Sequence, residues 1–242
     1  MIDIHCHILP FVDDGATSMT EAVSMAQNAF RDGITDLIAT PHSLNGIYHN
    51  PATQVLESVK RLQEALVQYG IPVKVHPGME VHMHTDIVSL LQSNEIMGLN
   101  NSRKYLLLEL PPSNIPIFTE EILSELLASG YTPIIAHPER NLALQKNMVH
   151  LKTWIEMGCF AQITAGSLMG DMGKKACQTA KAMVQKGLVH LLASDGHRSR
   201  GRKIQLSEGY QILKSWTSMN TVQRYQHNAS VILSGEEMGQ LI

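Results

Sequence analysis

The residues of this chain best suited to chemistry are imidazoles and carboxylates placed just beyond short apolar runs. His5 and His7 follow Met1-Ile2, His42 follows Leu37-Ile38-Ala39, and Glu80 follows Val73-Lys74-Val75. Glu109 ends Tyr105-Leu106-Leu107-Leu108, His137 follows Ile134-Ile135-Ala136, and Asp195 with His197 follows His190-Leu191-Leu192-Ala193. In a wound α/β protein the carboxyl ends of parallel strands converge on one face, where ligands bind. Nitrogen and carboxylate donors repeated in this way read as a multinuclear metal site. Strand side chains alternate, so His5-Cys6-His7 points both imidazoles to one side and Cys6 to the other. Asp195-Gly196-His197 has the same spacing. The mixed donor set suits manganese, iron or zinc, because magnesium and calcium usually prefer all-oxygen shells.

Such donors need a scaffold, and hydrophobic periodicity supplies one. Strands are expected over Ile2–Ile4, Asp36–Thr40, Pro72–Val75, Tyr105–Leu110, Pro133–Ala136, Phe160–Thr164 and Val189–Ala193. Ser18-Met19-Thr20-Glu21 has capping-box spacing ahead of a helical face of Ala22, Met25, Ala26, Ala29 and Phe30 that ends at Gly33. Asn50-Pro51 predicts a cap and a first-turn proline for a stripe of Val55, Val59, Leu62 and Leu66 stopping at Gly70. Further helices are expected over Asp86–Gln92, Thr119–Ser129, Met148–Met157, Lys174–Lys186, Leu206–Trp216 and Asn220–Leu233. Seven strands alternating with helices favour a small barrel or an open doubly wound sheet, and donors from nearly every strand end favour the barrel. No linker, repeat or low-complexity stretch divides the chain, so residues 1–242 are expected as one domain.

Composition narrows the function classes. The chain has 242 residues and a formal charge of −3, which gives no global basic field for nucleic acid or an anionic membrane. No apolar run approaches a membrane span, and the first residues do not read as a signal peptide. Cys6, Cys159 and Cys177 lack paired spacing, so a reducing cytoplasm is the expected compartment.

Several motifs occur together: Met1-Ile2-Asp3-Ile4-His5-Cys6-His7-Ile8-Leu9-Pro10, Asp13-Asp14-Gly15, Ala39-Thr40-Pro41-His42, Gly78-Met79-Glu80, Ala136-His137-Pro138-Glu139-Arg140, Thr164-Ala165-Gly166-Ser167-Leu168 and Ala193-Ser194-Asp195-Gly196-His197. Through them the chain resembles, over nearly its whole length, the PHP (polymerase and histidinol phosphatase) superfamily. Within it the similarity is to bacterial manganese-dependent tyrosine-protein phosphatases of the capsule and exopolysaccharide type. The resemblance implies an α/β fold, a distorted (β/α)7 TIM-like barrel with a trinuclear metal site at the C-terminal ends of the strands. It assigns His5, His7, Glu80 and Asp195 to one metal, and Glu80 as a bridge to a second held also by Glu109 and His137. Asp14, His42 and His197 would hold the third. Manganese is the expected ion, up to three per chain, with iron or zinc as alternatives. Arg140 and Arg202 are expected to bind phosphate. The loop His197-Arg198-Ser199-Arg200-Gly201-Arg202-Lys203 is more basic than usual for the family, and spacing from Asp195 selects Arg202 within it.

The expected chemistry is attack by a metal-bound hydroxide without a phosphoenzyme. No cysteine begins a Cys-x5-Arg loop, since Val12, Ala165 and Met183 stand where the arginine would be, and a Gly-rich nucleotide loop is absent. His42 is a candidate source of the leaving group's proton. The resemblance implies, as the leading expectation, a protein-tyrosine phosphatase acting on a bacterial tyrosine kinase and thereby regulating extracellular polysaccharide synthesis. The alternatives are a phosphatase for histidinol phosphate or another small phosphomonoester, and a noncatalytic phosphotyrosine-binding or polymerase-accessory domain. His82 and His84 are expected to be solvated, Asp13 a turn residue, Glu139 a support for the neighbouring histidine or an arginine, and the methionines core filler.

Overall fold

The computed structural model of the chain describes residues 1–239. Strand β1 (Ile2–Cys6) leads through a loop to helix α1 (Met19–Arg31), then β2 (Asp36–Ala39), β3 (His42–Ser43), α2 (Ala52–Gln68), β4 (Lys74–Pro77), β5 (Glu80–His82) and α3 (Ile87–Gln92). The order continues with β6 (Tyr105–Glu109), α4 (Thr119–Ala128), β7 (Thr132–Ala136), α5 (Leu142–Lys146), α6 (Val149–Met157), β8 (Phe160–Thr164), α7 (Ala165–Met169), α8 (Lys174–Gln185), β9 (Leu191–Ala193), α9 (Ser207–Trp216) and α10 (Met219–Ser234).

All strand pairings are parallel, in the orders β1-β2-β4 and β3-β5-β6-β7-β8-β9. Two of the expected strands are each followed by a second short piece: β2 passes to β3 across Thr40-Pro41, and β4 to β5 across Gly78-Met79. Proline has no N–H to give to a ladder, and a Cβ on Gly78 would lie 2.8 Å from Ile38 Cγ2, so the chain steps sideways at both points. Neither β3 nor β5 is foreseen by periodicity, because each is too short to show one. The first strand meets the last through a parallel bridge between Cys6 and Gly196. Strand hydrogen bonds among the described residues therefore run in two sheets rather than one closed ring.

Alternation explains how a dry core leads to a polar site. Along β6, Tyr105, Leu107 and Glu109 share a face; the first two belong to an inner apolar cluster and the third reaches the carboxyl end. Leu191 and Ala193 of β9 belong to the same cluster and lead up to Asp195. Helix α10 contributes Ala229 and Ile232 to it, and Tyr225 Oη and Asn228 Nδ2 donate to the carbonyls of Val189 and His190. Truncating a fully buried floor residue such as Leu107 to Ala is expected to cost about 2–5 kcal/mol.

Helix starts follow the sequence with one exception. Ser18 accepts from Glu21 N–H as expected, although Glu21 itself turns to Thr17. Asn50 is not a cap: helix α2 begins at Ala52, Pro51 occupies the N-cap, and the buried Asn50 amide donates to Val12 O and His42 O. Its two N–H donors satisfy carbonyls of the loop after β1 and of β3 beside the site, a stronger demand than the helix end, where Ala52 N–H donates to Glu95 O and Gln54 N–H to Pro51 O.

Candidate metal centre

The candidate donors arrive from separate strand ends. His7 N–H donates to Gly196 O, and Asp195 N–H donates to His5 O, both at 2.8 Å. These bonds stitch the first strand end to the last, bringing His5, His7, Asp195 and His197 together. β3 carries His42, β5 Glu80 and β6 Glu109, and the turn after β7 carries His137 and Arg140. His137 and Asp195 have left-handed backbones, with φ of 32° and 51°. That is uncommon for residues other than glycine and clusters at functional sites.

His5 Nε2 lies 3.2 Å from His7 Nε2. Glu80 Oε2 is 3.4 and 3.3 Å from these nitrogens, and Asp195 Oδ1 is 3.4 Å from each. Donors that surround one small cation at about 2.0–2.2 Å have separations of this size. The outer nitrogens are committed elsewhere. His5 Nδ1 lies 2.9 Å from Gln162 Oε1, and Gln162 Nε2 donates to Ile163 O, which fixes the amide orientation. His7 Nδ1 lies 2.7 Å from Asp13 Oδ2. With protons on both Nδ1 atoms, two Nε2 lone pairs face each other and two carboxylates, an arrangement that calls for a positive charge between them.

Glu80, 1% exposed, connects this group to the rest. Its Oε2 is 3.0 Å from His42 Nδ1 and its Oε1 2.7 Å from His137 Nε2. Glu109 lies 3.6 Å from His42 and 3.8 Å from His137. Asp14 Oδ1 is 3.5 Å from His42 Nε2 and 3.4 Å from His197 Nε2, while His197 Nδ1 faces Asp195 O at 2.9 Å. His42 Nδ1 and Glu80 Oε2 are buried without a well-formed hydrogen bond, which is costly unless a cation satisfies them. All nine anticipated donors are thus gathered in overlapping groups, in which His137 falls with His5 and Asp195, and His42 with Glu80 and Glu109 as well as with Asp14 and His197, a different division from the one the resemblance implies.

The electrostatics agree with that demand. Burial opposes charge on Glu80, but His5 and His137 outweigh it and hold its carboxyl well below the usual range. Burial also opposes charge on Asp195, and Arg140 and His5 overcome it. His7 is held well above the ordinary imidazole value, because Asp13, Asp195 and Glu80 together outweigh its burial. Asp14 is held low by its bond to His197.

Arg140 and Arg202 both reach Asp195 Oδ2, the oxygen turned away from the histidines; the Arg202 contact is 2.7 Å. Both arginines line a cavity of about 220 Å³ together with Asp14, His42, Glu109 and His137. Arg202 Nε is buried without an acceptor. Arg198, from the same loop, instead donates to Gly15 O on the loop that carries Asp14. That loop is tightly seated: a Cβ on Gly15 would lie 2.0 Å from His7 O.

Several participants escape the sequence reading. Asp13 is a turn residue, bonded to Gly15 N–H, and it also orients His7 and accepts from His42 N–H at 3.1 Å. Gln162 could have been flagged as the one amide in the buried strand Phe160-Ala161-Gln162-Ile163-Thr164. Asp3 is buried and accepts from Ser194 N–H at 2.9 Å, bracing β1 against the last strand end, and burial pushes its carboxyl up to about 6 against those bonds. His82 is half-buried, with Nδ1 3.3 Å from Glu109 Oε2, whereas His84 is more exposed and accepts from Asp86 N–H. Glu139 supports neither a histidine nor an arginine by a direct bond. It accepts from Thr164 N–H and Oγ1 at the start of α7, because its backbone turn aims the side chain into the core.

Known proteins are similar to this chain in sequence and fold. The family model described as capsular polysaccharide synthesis, CpsB/CapC, matches residues 1–234. The tyrosine-protein phosphatase YwqE of Bacillus subtilis is 36% identical, covering 98% of this chain and 92% of that protein. The tyrosine-protein phosphatase CpsB of Streptococcus pneumoniae is 31% identical, covering 88% and 89%. A solved structure from work on YwqE and CpsB, described as unique metal-dependent tyrosine phosphatases, superimposes with a TM-score of 0.96 at 35% identity, covering 100% and 97% of the two chains. The phosphotriesterase homology protein of Escherichia coli, at 13% identity and a TM-score of 0.58, shares the fold alone. Matched across residues 1–234 by the family model and along most of its length by relatives above 30% identity, the chain belongs to the CpsB/CapC family of capsular polysaccharide synthesis.

Proposed function

We propose that this chain is a divalent-metal-dependent protein-tyrosine phosphatase that acts on a phosphorylated bacterial tyrosine kinase in capsular or exopolysaccharide synthesis. The observation that carries the reading is the joining of four overlapping imidazole and carboxylate groups to a small cavity whose remaining charged lining is two arginines. His5, His7, Glu80 and Asp195 would hold one ion, Glu80, Glu109 and His137 a second, and Asp14, His42 and His197 a third, with manganese the preferred metal and iron or zinc the alternatives. Ions bound there supply Lewis acidity toward phosphate oxygens and acidify water near neutral pH.

The chain's own residues supply the rest. Arg140 and Arg202 offer guanidinium forks to phosphate oxygens, and Asp195 Oδ2 keeps both forks aimed into the cavity before substrate arrives. His42 would act as a metal ligand, its two ring nitrogens turned toward Asp14 and Glu80. A phenolate leaves readily enough that no protein acid is required. Cys6 and Cys159 are buried in the core, in keeping with a mechanism that uses no thiolate. In this reading the two sheets act as one distorted (β/α)7 wall, residues 1–242 form one domain, and the enzyme works in the cytoplasm. No helix of the described residues is long and apolar enough to cross a membrane.

The test is hydrolysis of a phosphotyrosine peptide and of histidinol phosphate by the same metal-quantified preparation, before and after chelation. Chelation should abolish phosphotyrosine hydrolysis and manganese should restore it. Full activity of the stripped protein, preference for histidinol phosphate, or peptide binding without phosphate release would each defeat the proposal.

A further inference from the structure

The cavity has two unlike sides. One carries the candidate metal donors and arginines. The other is built by Leu110 and Pro112 from the loop after β6, with Asn141 beside them. Asn141 is polar but has nothing to offer a ligand. Its Oδ1 accepts from Ala143 N–H and Leu144 N–H, both at 2.9 Å, and its Nδ2 donates to Pro111 O at 2.7 Å and Asn114 O at 3.0 Å. An amide has two donor hydrogens and two acceptor lone pairs, so every hydrogen-bonding position is taken. Pro112 has no N–H, and its carbonyl accepts from Leu142 N–H at 2.9 Å. This side therefore behaves as an apolar surface stiffened by two prolines and riveted by one amide.

Size decides what meets this wall. A cavity of about 220 Å³ falls below the roughly 300–1,000 Å³ of pockets that engulf a drug-sized ligand. It admits a phosphate and the group bonded directly to it, while the rest of a protein substrate stays outside. With the phosphate held by Arg140 and Arg202, the group next to it lies against the saturated wall. A serine methylene covers little of that surface, whereas a flat aromatic ring covers much of it without losing hydrogen bonds.

We propose that the Leu110–Pro112 wall, held rigid by Asn141, receives the phenyl ring of the phosphorylated residue and sets preference for aryl over alkyl phosphate esters. The proposal rests on the pocket being a phosphomonoester site, and it assigns Pro112 as a specificity-determining residue and Asn141 as a positioning residue. Aryl esters are intrinsically easier to hydrolyse, so the informative quantity is the change in the aryl-to-alkyl ratio of kcat/KM between wild type and variant, in which intrinsic reactivity cancels.

The experiment measures phosphotyrosine and phosphoserine peptides of one sequence with the manganese-loaded full chain as wild type, Pro112→Ser and Asn141→Asp. Pro112 is exposed, so its substitution threatens the fold little. Asn141→Asp keeps the acceptor that caps α5, and in place of the two donated bonds it sets a carboxylate oxygen against the Pro111 and Asn114 carbonyls, which should loosen the wall. Both variants should lower the aryl-to-alkyl ratio about tenfold, near the lower end of discrimination by one apolar contact, and chiefly by raising KM for the phosphotyrosine peptide. Inhibition by inorganic phosphate should stay within twofold of wild type. An unchanged ratio in both variants, or equal losses on both peptides, would overturn the wall's role. If inorganic phosphate fails to inhibit the wild type, the reading of the pocket itself falls instead.

Discussion

His5 and His7, at the carboxyl end of β1, are fully buried, whereas His82 and His84, with the same spacing, are each only partly buried. In both pairs alternation sets two rings on one side of the chain. The difference lies in what each Nδ1 meets. Gln162 and Asp13 take the Nδ1 positions of His5 and His7 and leave both Nε2 atoms facing carboxylates. His82 turns its own Nδ1 toward Glu109, and His84 spends its Nδ1 as an acceptor for Asp86 N–H. Spacing nominates a pair of ligands; burial and a locked tautomer are what single out His5 and His7 as the candidates. His190 completes the comparison as a buried imidazole without an acidic partner. Its Nδ1 accepts from Ala161 N–H at 3.2 Å, and burial pushes its value down to about 4.

The largest effect that could break this comparison is expected from His7→Ala, which should abolish metal binding and phosphotyrosine hydrolysis while leaving circular dichroism near that of wild type, since the ring stands above the apolar floor. Asp13→Asn comes next. Asp13 accepts three N–H bonds, and an amide has one acceptor oxygen, so the Nδ1 lock on His7 should weaken. Titration calorimetry should show manganese affinity down about 10–100-fold. Arg140→Lys should lower kcat/KM about tenfold or more with metal content unchanged, as expected from losing a charge-assisted bond of about 1.5–3 kcal/mol. Metal loss in that variant would mean that the arginine works through Asp195 alone.

His190 gives a stability prediction. Its folded value, about 4, lies below its unfolded value of 6.5, so the unfolded chain binds the proton first. The stability of keeping it neutral is fully present above the unfolded value and is lost as pH falls toward the folded one, by about 3 kcal/mol in total. Urea unfolding of wild type and His190→Asn at pH 7.5 and pH 4.5 should therefore show a smaller pH dependence in the variant; equal dependence would show that His190 is not the group responsible. The smallest effect is expected from replacing His84 by Ala, within twofold on activity.

Much of the scaffold is legible because its strands and helices are long enough to display a period. Strand β8 falls at the expected residues, and most helix ends lie within one or two positions. The pieces β3 and β5, the short helices α5 and α7, and the loss of Asn50 as a cap are set by tertiary contacts that leave no local pattern. The candidate ligands are legible for a different reason: their residue types are unusual at strand ends, and the family motifs recur as a set. Asp13, Gln162 and Asn141 are hidden because each is an ordinary polar residue whose role depends on a partner distant in space or reached by a turn. Composition reveals a donor; it does not reveal which nitrogen the donor presents.

The most direct measurement is the number of manganese ions bound per chain in wild type, His7→Ala and the double variant His82→Ala/His84→Ala, read by atomic emission after identical loading and dialysis. The account predicts that wild type and the double variant retain equal manganese while His7→Ala loses it. Retention by His7→Ala, or loss confined to the double variant, would contradict the claim that the buried, tautomer-locked pair forms the metal centre.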